Sequence, residues 1–201
     1  MIAALFVIKN GPYFGIDDVD PWDESRDARN YVGPHPVVAH PPCARWGHYW
    51  HGSPSHHKRF KKGDDGGCFE AALAFVNKYG GVLEHPAHSF AWYEFGLDTP
   101  PKRGGWIKAG LWQPGWTCHV EQGHYGHLAK KPTWLYAHRV ELPELIWGVS
   151  GAEYHMSAMS ATKLQRAGRM RQVLHLLHSA RSRTPDEFRD LLLDMARSVP
   201  L

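Results

Sequence analysis

Short apolar runs separated by turn-rich segments mark the first part of the chain. Residues 2–8 and 36–40 are predicted to be buried strands, because each run is mostly apolar and is bounded by glycine or proline. The second run must end at Pro41-Pro42, since proline lacks the backbone donor that a sheet needs. The segment between the two runs is polar and predicts a turn-rich connection.

A helix and a further strand follow. Residues 68–79 carry apolar side chains at helical spacing, and Gly80-Gly81 supplies the C-terminal stop. Residues 81–84 form another apolar run, which ends before Pro86. Strand, helix and strand in this order form a βαβ unit with parallel strands, so the carboxyl ends of the two strands should meet at one sheet edge.

The rest of the chain predicts loops, a hairpin and helices. Residues 46–67 and 100–115 have no apolar period and predict surface loops. Residues 116–120 and 133–140 alternate like paired strands, with a polar segment between them. A helix is expected over residues 161–178, and Thr184-Pro185-Asp186-Glu187 predicts a second helix that begins with a capping box. The apolar face of this last helix consists of Phe188, Leu191, Leu192 and Met195.

These elements predict one α/β domain over residues 1–201, with a mostly parallel sheet and its cleft in residues 1–150 and a helical segment in residues 151–201. At 201 residues and 43% hydrophobic content, the chain can bury a core without disulfide or metal staples. No run of about 18 apolar residues and no signal peptide is evident, so we expect a cytoplasmic protein with no membrane partner. The cysteines Cys43, Cys68 and Cys118 form no CxxC pair and are expected to be free thiols.

The net charge of +3 is mild, but the basic residues are clustered and often lie beside aromatic residues. The clusters are residues 58–62, Lys102-Arg103, Lys130-Lys131 and residues 166–171. Such clusters suit a polyanion such as DNA. They are equally consistent with ordinary solvated loops.

Two reactive side chains follow the predicted strand ends. Cys43, held after two prolines, is expected to be exposed and aimed as a nucleophile; the alternative is a buried, inert thiol. Glu84 ends an apolar strand, and in a partly dry cleft its pKa would rise, so that it donates a proton near neutral pH. The alternative is a carboxylate that caps a helix or pairs with an arginine.

Three motifs resemble those of the DNA cytosine-5 methyltransferases. Residues 41–47, Pro-Pro-Cys-Ala-Arg-Trp-Gly, resemble that family's Pro-Cys motif, and Leu83-Glu84-His85-Pro86 resembles its Glu-Asn-Val motif. Gln122-Gly123-His124 stands where the family has Gln-x-Arg, with His124 replacing the arginine. Residues 125–136 are also similar to small phage and prophage proteins that look like reduced relatives of this family.

The resemblance implies a reduced Rossmann-like methyltransferase-type sheet and a chemistry on DNA. The thiolate of Cys43 would add to carbon 6 of a flipped pyrimidine, Glu84 would protonate ring nitrogen 3, and His124 would donate to the base's carbonyl oxygen. Carbon 5 would then become nucleophilic. Substrate contacts are expected from residues in or beside these motifs, namely Arg45, Trp46, His85, Gln122 and Lys131.

The family's cofactor, S-adenosylmethionine, is bound by a glycine-rich loop and an acidic residue ahead of the Pro-Cys motif. Here residues 8–37 contain Gly11 and Gly15 but no GxGxxG-like loop that enters a helix. Two versions therefore stay open. Either S-adenosylmethionine binds with Asp17, Asp18 or Asp20 on its ribose, or another group is transferred to carbon 5.

A zinc site is a further alternative. Cys118, His119, His124 and His127 lie close in sequence, and His40 with Cys43 would add further ligands. Their spacing matches no standard zinc finger, and a chain with 15 histidines produces such groups by chance. Three functions thus remain: a DNA-modifying enzyme, a non-catalytic DNA-binding protein with the same cleft, and a zinc hydrolase.

Overall fold

The computed structural model describes residues 1–52, 60–152 and 182–200. Within these residues seven strands form one mixed sheet in the order β2-β1-β3-β4-β7-β6-β5. The strands are β1 Ile2–Leu5, β2 Val19–Trp22, β3 Val37–Ala39, β4 Gly81–Pro86, β5 Ile107–Lys108, β6 Trp116–Glu121 and β7 Pro132–His138. The helices are α1 Cys68–Tyr79, α2 Phe90–Glu94 and α3 Asp186–Arg197, with 3-10 turns at Ala28–Asn30 and Gln122–Tyr125.

The parallel half of the sheet contains β2, β1, β3 and β4. The predicted βαβ unit is confirmed, since β3 and β4 pair in parallel and α1 connects them with the predicted bounds. In this register Ala39 lies beside Leu83. Consequently the residues that follow Ala39 and Leu83 emerge together at the carboxyl edge.

Strand β2 was not predicted, and the expectation of a purely turn-rich connection is wrong at this point. Its sequence, Val-Asp-Pro-Trp, has neither an apolar run nor a strand-like alternation. The strand lies at the edge of the sheet, beside β1 alone. An edge strand tolerates Asp20 and Pro21, because its outer backbone groups need no partner strand.

The antiparallel half confirms the predicted hairpin. Strand β7 pairs antiparallel with both β4 and β6, and β5 adds a short outer strand. Strand β6 therefore runs in the same direction as β4. As a result, the turn Gln122–Tyr125, which follows β6, emerges at the same edge of the sheet as the end of β4. Strand β5 lies within residues 100–115, so the expectation of an uninterrupted loop there is wrong; a two-residue edge strand leaves no apolar period to detect.

The two faces of the sheet bury separate apolar clusters. On one face Leu83 packs with Phe69 of α1 and Trp92 of α2, and on the other Val82 packs with Phe188 of α3. Side chains alternate along a strand, so Leu83 and His85 share one face and Val82 and Glu84 share the other. This alternation determines which residues of β4 reach the site described below.

Helix α3 buries the predicted apolar face through Phe188, Leu192 and Met195, while Leu191 is partly buried. Its start differs from the prediction: Pro185 occupies the cap position, and no side chain caps the helix. The helix predicted over residues 161–178, like the basic residues 58, 59 and 166–171, lies outside the described residues. None of the helices in the described part of the chain has the length and apolar character needed to cross a bilayer.

Candidate active site

A cavity of about 1180 Å³ opens at the carboxyl edge of the parallel strands. Its walls come from residues 6–13 after β1, residues 40–43 after β3, the end of β4, Lys131 before β7, and residues 182–184 ahead of α3. Cys43 and Glu84 both line it. The juxtaposition that the βαβ topology predicts is thus present in the fold.

Cys43 is positioned by the way the chain leaves the sheet. Strand β3 ends at Ala39, and Pro41 and Pro42 provide no N–H groups with which to extend it. The Cys43 carbonyl accepts hydrogen bonds from the backbone N–H groups of Trp46 (3.0 Å) and Gly47 (3.2 Å), which closes a turn around the residue. Cys43 is exposed within this turn, as expected for a nucleophile.

Glu84 is buried, with 8% of its surface exposed, and both carboxylate oxygens have hydrogen-bond partners. Gln122 Nε2 donates to Oε1 at 3.0 Å and also to the Thr133 hydroxyl at 3.0 Å. His40 Nδ1 lies 2.9 Å from Oε2. Gln122 therefore orients Glu84 through this hydrogen bond and does not itself line the cavity.

His40 is one of the residues of this site that sequence reasoning missed, together with Tyr13, Tyr49 and Arg183; it was considered only as an added zinc ligand. Its second ring nitrogen, Nε2, lies 2.7 Å from the Tyr13 hydroxyl. Tyr13, His40 and Glu84 therefore form a hydrogen-bonded chain along the cavity wall, and Gln122 extends it into the core. The predicted topology contained a signal for this contact. Parallel pairing of β3 with β4 places His40, which follows Ala39, beside Glu84, which follows Leu83.

The charge state of Glu84 is opposite to the one expected from sequence. Burial raises the pKa of Glu84, but the hydrogen bond and charge of His40, with the charges of Lys131 and His85, outweigh burial and lower it to about 2. Glu84 is therefore ionised at neutral pH and does not donate a proton in the resting site. The expectation failed because it assumed a dry cleft without donors.

Lys131 brings a positive charge to the same cavity. Its Nζ donates to the carbonyl oxygens of Arg183 (2.9 Å) and Ser182 (3.4 Å), and its backbone adopts a positive φ of 41°. Burial lowers the pKa of Lys131, while the negative charges of Glu84 and Cys43 act in the opposite direction. Because an ammonium group has three N–H donors, one remains for a bound molecule.

The thiol of Cys43 responds to both charges. Desolvation and the Glu84 carboxylate raise the pKa of Cys43, whereas Lys131 opposes this shift. At neutral pH the residue is accordingly a thiol. The cavity wall thus combines a thiol, a carboxylate and an ammonium group whose charges influence one another.

The remaining predicted substrate contacts lie away from this wall. Trp46 is 4% exposed, and its indole N–H donates to Asp65 at 2.7 Å. His85 lies on the opposite face of β4 against the Phe69 and Trp92 rings, where burial lowers its pKa to about 4. These two side chains stabilise the core beneath the site.

Arg45 and His124 also have partners outside the cavity. The Arg45 guanidinium donates to the Trp50 carbonyl at 3.0 Å and lies 3.3 Å from the centroid of the Phe60 ring. His124 Nε2 lies 3.2 Å from the Gly148 carbonyl oxygen. Neither residue is part of the described cavity lining.

The alternative zinc ligands do not converge. Cys118 is fully buried in the apolar core, and His119 Nδ1 accepts a hydrogen bond from Trp134 at 3.1 Å. His127 Nδ1 accepts one from the Ala129 N–H at 2.9 Å. Among residues 1–52, 60–152 and 182–200, no group of three or more His, Cys, Asp or Glu side chains is arranged to hold a metal ion.

The segment that would hold S-adenosylmethionine does not fit that cofactor. Residues 6–18, all of them described, connect β1 to β2 through turns, without a helix whose N-terminus would face the ligand. Asp18 is engaged with Arg197 at 2.8 Å, and Asp20 with Arg26 and the Trp22 indole. Two of the three carboxylates suggested for the ribose are therefore used in structural contacts, and the third, Asp17, is exposed.

Comparison of the chain with protein-family models and with curated proteins found no match.

Proposed function

We propose that this chain is a DNA-modifying enzyme that acts on carbon 5 of a pyrimidine base through covalent addition of Cys43, and that its sheet is a reduced methyltransferase-type sheet. The main support is that the exposed Cys43 and the buried Glu84, from the ends of neighbouring parallel strands, line one cavity. At about 1180 Å³ the cavity is large enough for a flipped nucleotide.

The addition begins with loss of the Cys43 proton to solvent, and the nearby Lys131 ammonium stabilises the resulting thiolate. The sulfur then forms a bond to ring carbon 6, and the electrons of the 5,6 double bond move into the ring carbonyl or imine. Carbon 5 becomes nucleophilic and bonds to the transferred atom of an electrophilic donor, whose leaving group departs with the electron pair of the broken bond; with no donor present, carbon 5 takes a proton from solvent. Loss of the carbon 5 proton and expulsion of the thiolate restore the aromatic ring and the free cysteine.

Two further lining residues suit a flipped nucleotide. Tyr49 lines the cavity and is 51% exposed, so it contributes an aromatic side chain to the wall, which the buried Trp46 does not. Arg183 is exposed at the cavity and carries a charge suited to a phosphate. Both features support a nucleic-acid substrate.

Solvent exchange tests the covalent step without any donor, because the carbon 5 nucleophile takes deuterium from D₂O. A single-stranded oligonucleotide containing dC and dU is incubated with the protein in D₂O at pH 9, and its nucleosides are analysed by mass spectrometry. We expect deuterium at carbon 5 with the wild type and none with Cys43→Ala. Cys68→Ala is the matched control, since Cys68 lies on α1 outside the cavity lining, and it should behave as wild type.

The same exchange experiment distinguishes the proposed enzyme from the main alternative, a non-catalytic DNA-binding protein. If the wild type exchanges neither base at pH 9, the proposed enzyme function is wrong. Salt-dependent DNA binding that is unaffected by Cys43→Ala would then support the non-catalytic interpretation.

A further inference from the structure

The hydrogen bonds around Glu84 define what it offers to a bound base. The amide nitrogen of Gln122 only donates, so Oε1 accepts. An ionised carboxylate only accepts hydrogen bonds, so His40 Nδ1 donates to Oε2. Glu84 lines the cavity, and the lone pairs left on its two oxygens can only accept hydrogen bonds.

Tyr13 reinforces this arrangement. Burial and the Glu84 charge raise the pKa of Tyr13 well above its ordinary value, so the hydroxyl keeps its proton and stays available to His40 Nε2 at 2.7 Å. His40 Nδ1 thus retains its hydrogen for Glu84. One carboxylate oxygen thus accepts from Gln122 and the other from His40.

Building on the proposed function, we propose that the site selects a uracil-type ring, whose N3 carries a hydrogen, over cytosine, whose N3 is an acceptor. An acceptor-only Glu84 matches the N3–H group of uracil and opposes the bare N3 of cytosine. A cytosine that binds through its amino group is still not activated, because the carboxylate has no proton to place on N3. Sites built to hydrogen-bond a substrate group reject the analogue that lacks it.

The ammonium group of Lys131 also favours a uracil-type ring over cytosine, independently of Glu84. Addition of sulfur to carbon 6 of a uracil-type ring moves an electron pair onto O4, which becomes an enolate oxygen. The free N–H of the Lys131 ammonium is a donor suited to that oxygen. In cytosine the same ring position carries an amino group, itself a donor, which Lys131 would not stabilise.

The exchange experiment tests the selection when dU and dC are compared in one oligonucleotide at pH 9. The ratio of their exchange rates is divided by the ratio that free cysteine produces on the same oligonucleotide. We expect the corrected ratio to favour dU by about 100-fold with the wild type. Equal exchange, or faster exchange of dC, would overturn the selection while leaving the proposed enzyme function intact; exchange of neither base would overturn that function itself.

Variants test whether His40 sets this preference. His40→Leu removes the Nδ1 donor, so the buried carboxyl gains a proton more readily and the corrected ratio should fall at least tenfold. His138→Leu, at the opposite edge of the sheet, is the matched control and should keep the wild-type ratio. Glu84→Gln, which is isosteric and can present an N–H to N3, provides a second variant if His40→Leu does not fold. A wild-type ratio in both His40→Leu and Glu84→Gln would contradict the role of this pair.

Discussion

His40 Nδ1 lies 2.9 Å from Glu84 Oε2, although the two residues are 44 positions apart in the chain. Each residue belongs to the carboxyl end of one of two paired parallel strands, and the pairing of Ala39 with Leu83 brings them together. The contact turns a buried carboxyl group, which would be neutral in an apolar cleft, into a carboxylate. We expect the acid stability, the thiol reactivity and the proposed base preference of the protein to depend on this pair.

Glu84 should make the protein sensitive to acid. Its pKa is lowered in the folded state from 4.5 to about 2, so its contribution to stability is complete above pH 4.5 and is lost as the pH falls towards 2. The difference corresponds to roughly 3 kcal/mol of unfolding free energy. Urea unfolding of the wild type and Glu84→Gln from pH 6 to pH 2 measures it.

The Glu84→Gln variant should lose less stability than the wild type across this interval. His85, whose pKa is lowered to about 4 by burial, contributes acid sensitivity to both proteins. Because the Glu84 charge raises the pKa of His85, this contribution is larger in Glu84→Gln and acts against the difference between the two proteins. Parallel stability curves below pH 4.5 would contradict an ionised Glu84.

Alkylation of Cys43 should reveal the charges around it. Since desolvation and the Glu84 charge raise the pKa of Cys43, labelling by iodoacetamide should be half-maximal above pH 9. Glu84→Gln should move this midpoint to lower pH, and Lys131→Met should move it to higher pH. Peptide mass spectrometry after timed labelling gives the rate at each pH.

Cys68 is an internal control in the same labelling samples. Its thiol pKa is raised by desolvation and by Asp65, not by Glu84 or Lys131. Its profile should therefore be unchanged in both variants. A shift of the two cysteines together would indicate a general change of structure instead of a local charge effect.

Gly81 is required for the close approach of β3 to β4. Its φ is +128°, and a Cβ atom built there would lie 1.9 Å from the Val37 carbonyl oxygen. Because that oxygen belongs to the backbone of a central strand, Gly81→Ala should destabilise the protein by about 3 kcal/mol or more. Urea denaturation measures the loss.

Gly15→Ala is the matched control for strain without a clash. Gly15 also has a positive φ, +81°, but a Cβ atom added there would meet nothing within 4 Å beyond its own chain neighbours. We expect a cost of about 1 kcal/mol from the backbone conformation alone. Equal losses in the two variants would show that contact with Val37 is not what excludes a side chain at Gly81.

The amino-acid sequence by itself determines much of the sheet. Uninterrupted apolar runs and a helical period identify β3, α1 and β4, and the preference of βαβ units for parallel strands places Cys43 and Glu84 at one edge. Strand β2 could not be predicted from the sequence, because an edge strand does not need an apolar pattern. The correct predictions and the missed strand have the same cause. A local sequence pattern reflects how much of an element is buried, and an edge strand is buried less than a central strand.

Only the tertiary structure decides the chemical state of the site. Glu84 is ionised because His40, 44 residues away, donates to it and the charge of Lys131, 47 residues away, lies near it, and no local pattern records groups that the fold brings from elsewhere. Likewise the side chains of Glu84 and His85 differ in role because strand alternation turns one to the cavity and the other to the Trp92 face. Sequence periodicity is a local property, whereas the protonation of a buried group depends on every charge and dipole that the fold brings near it.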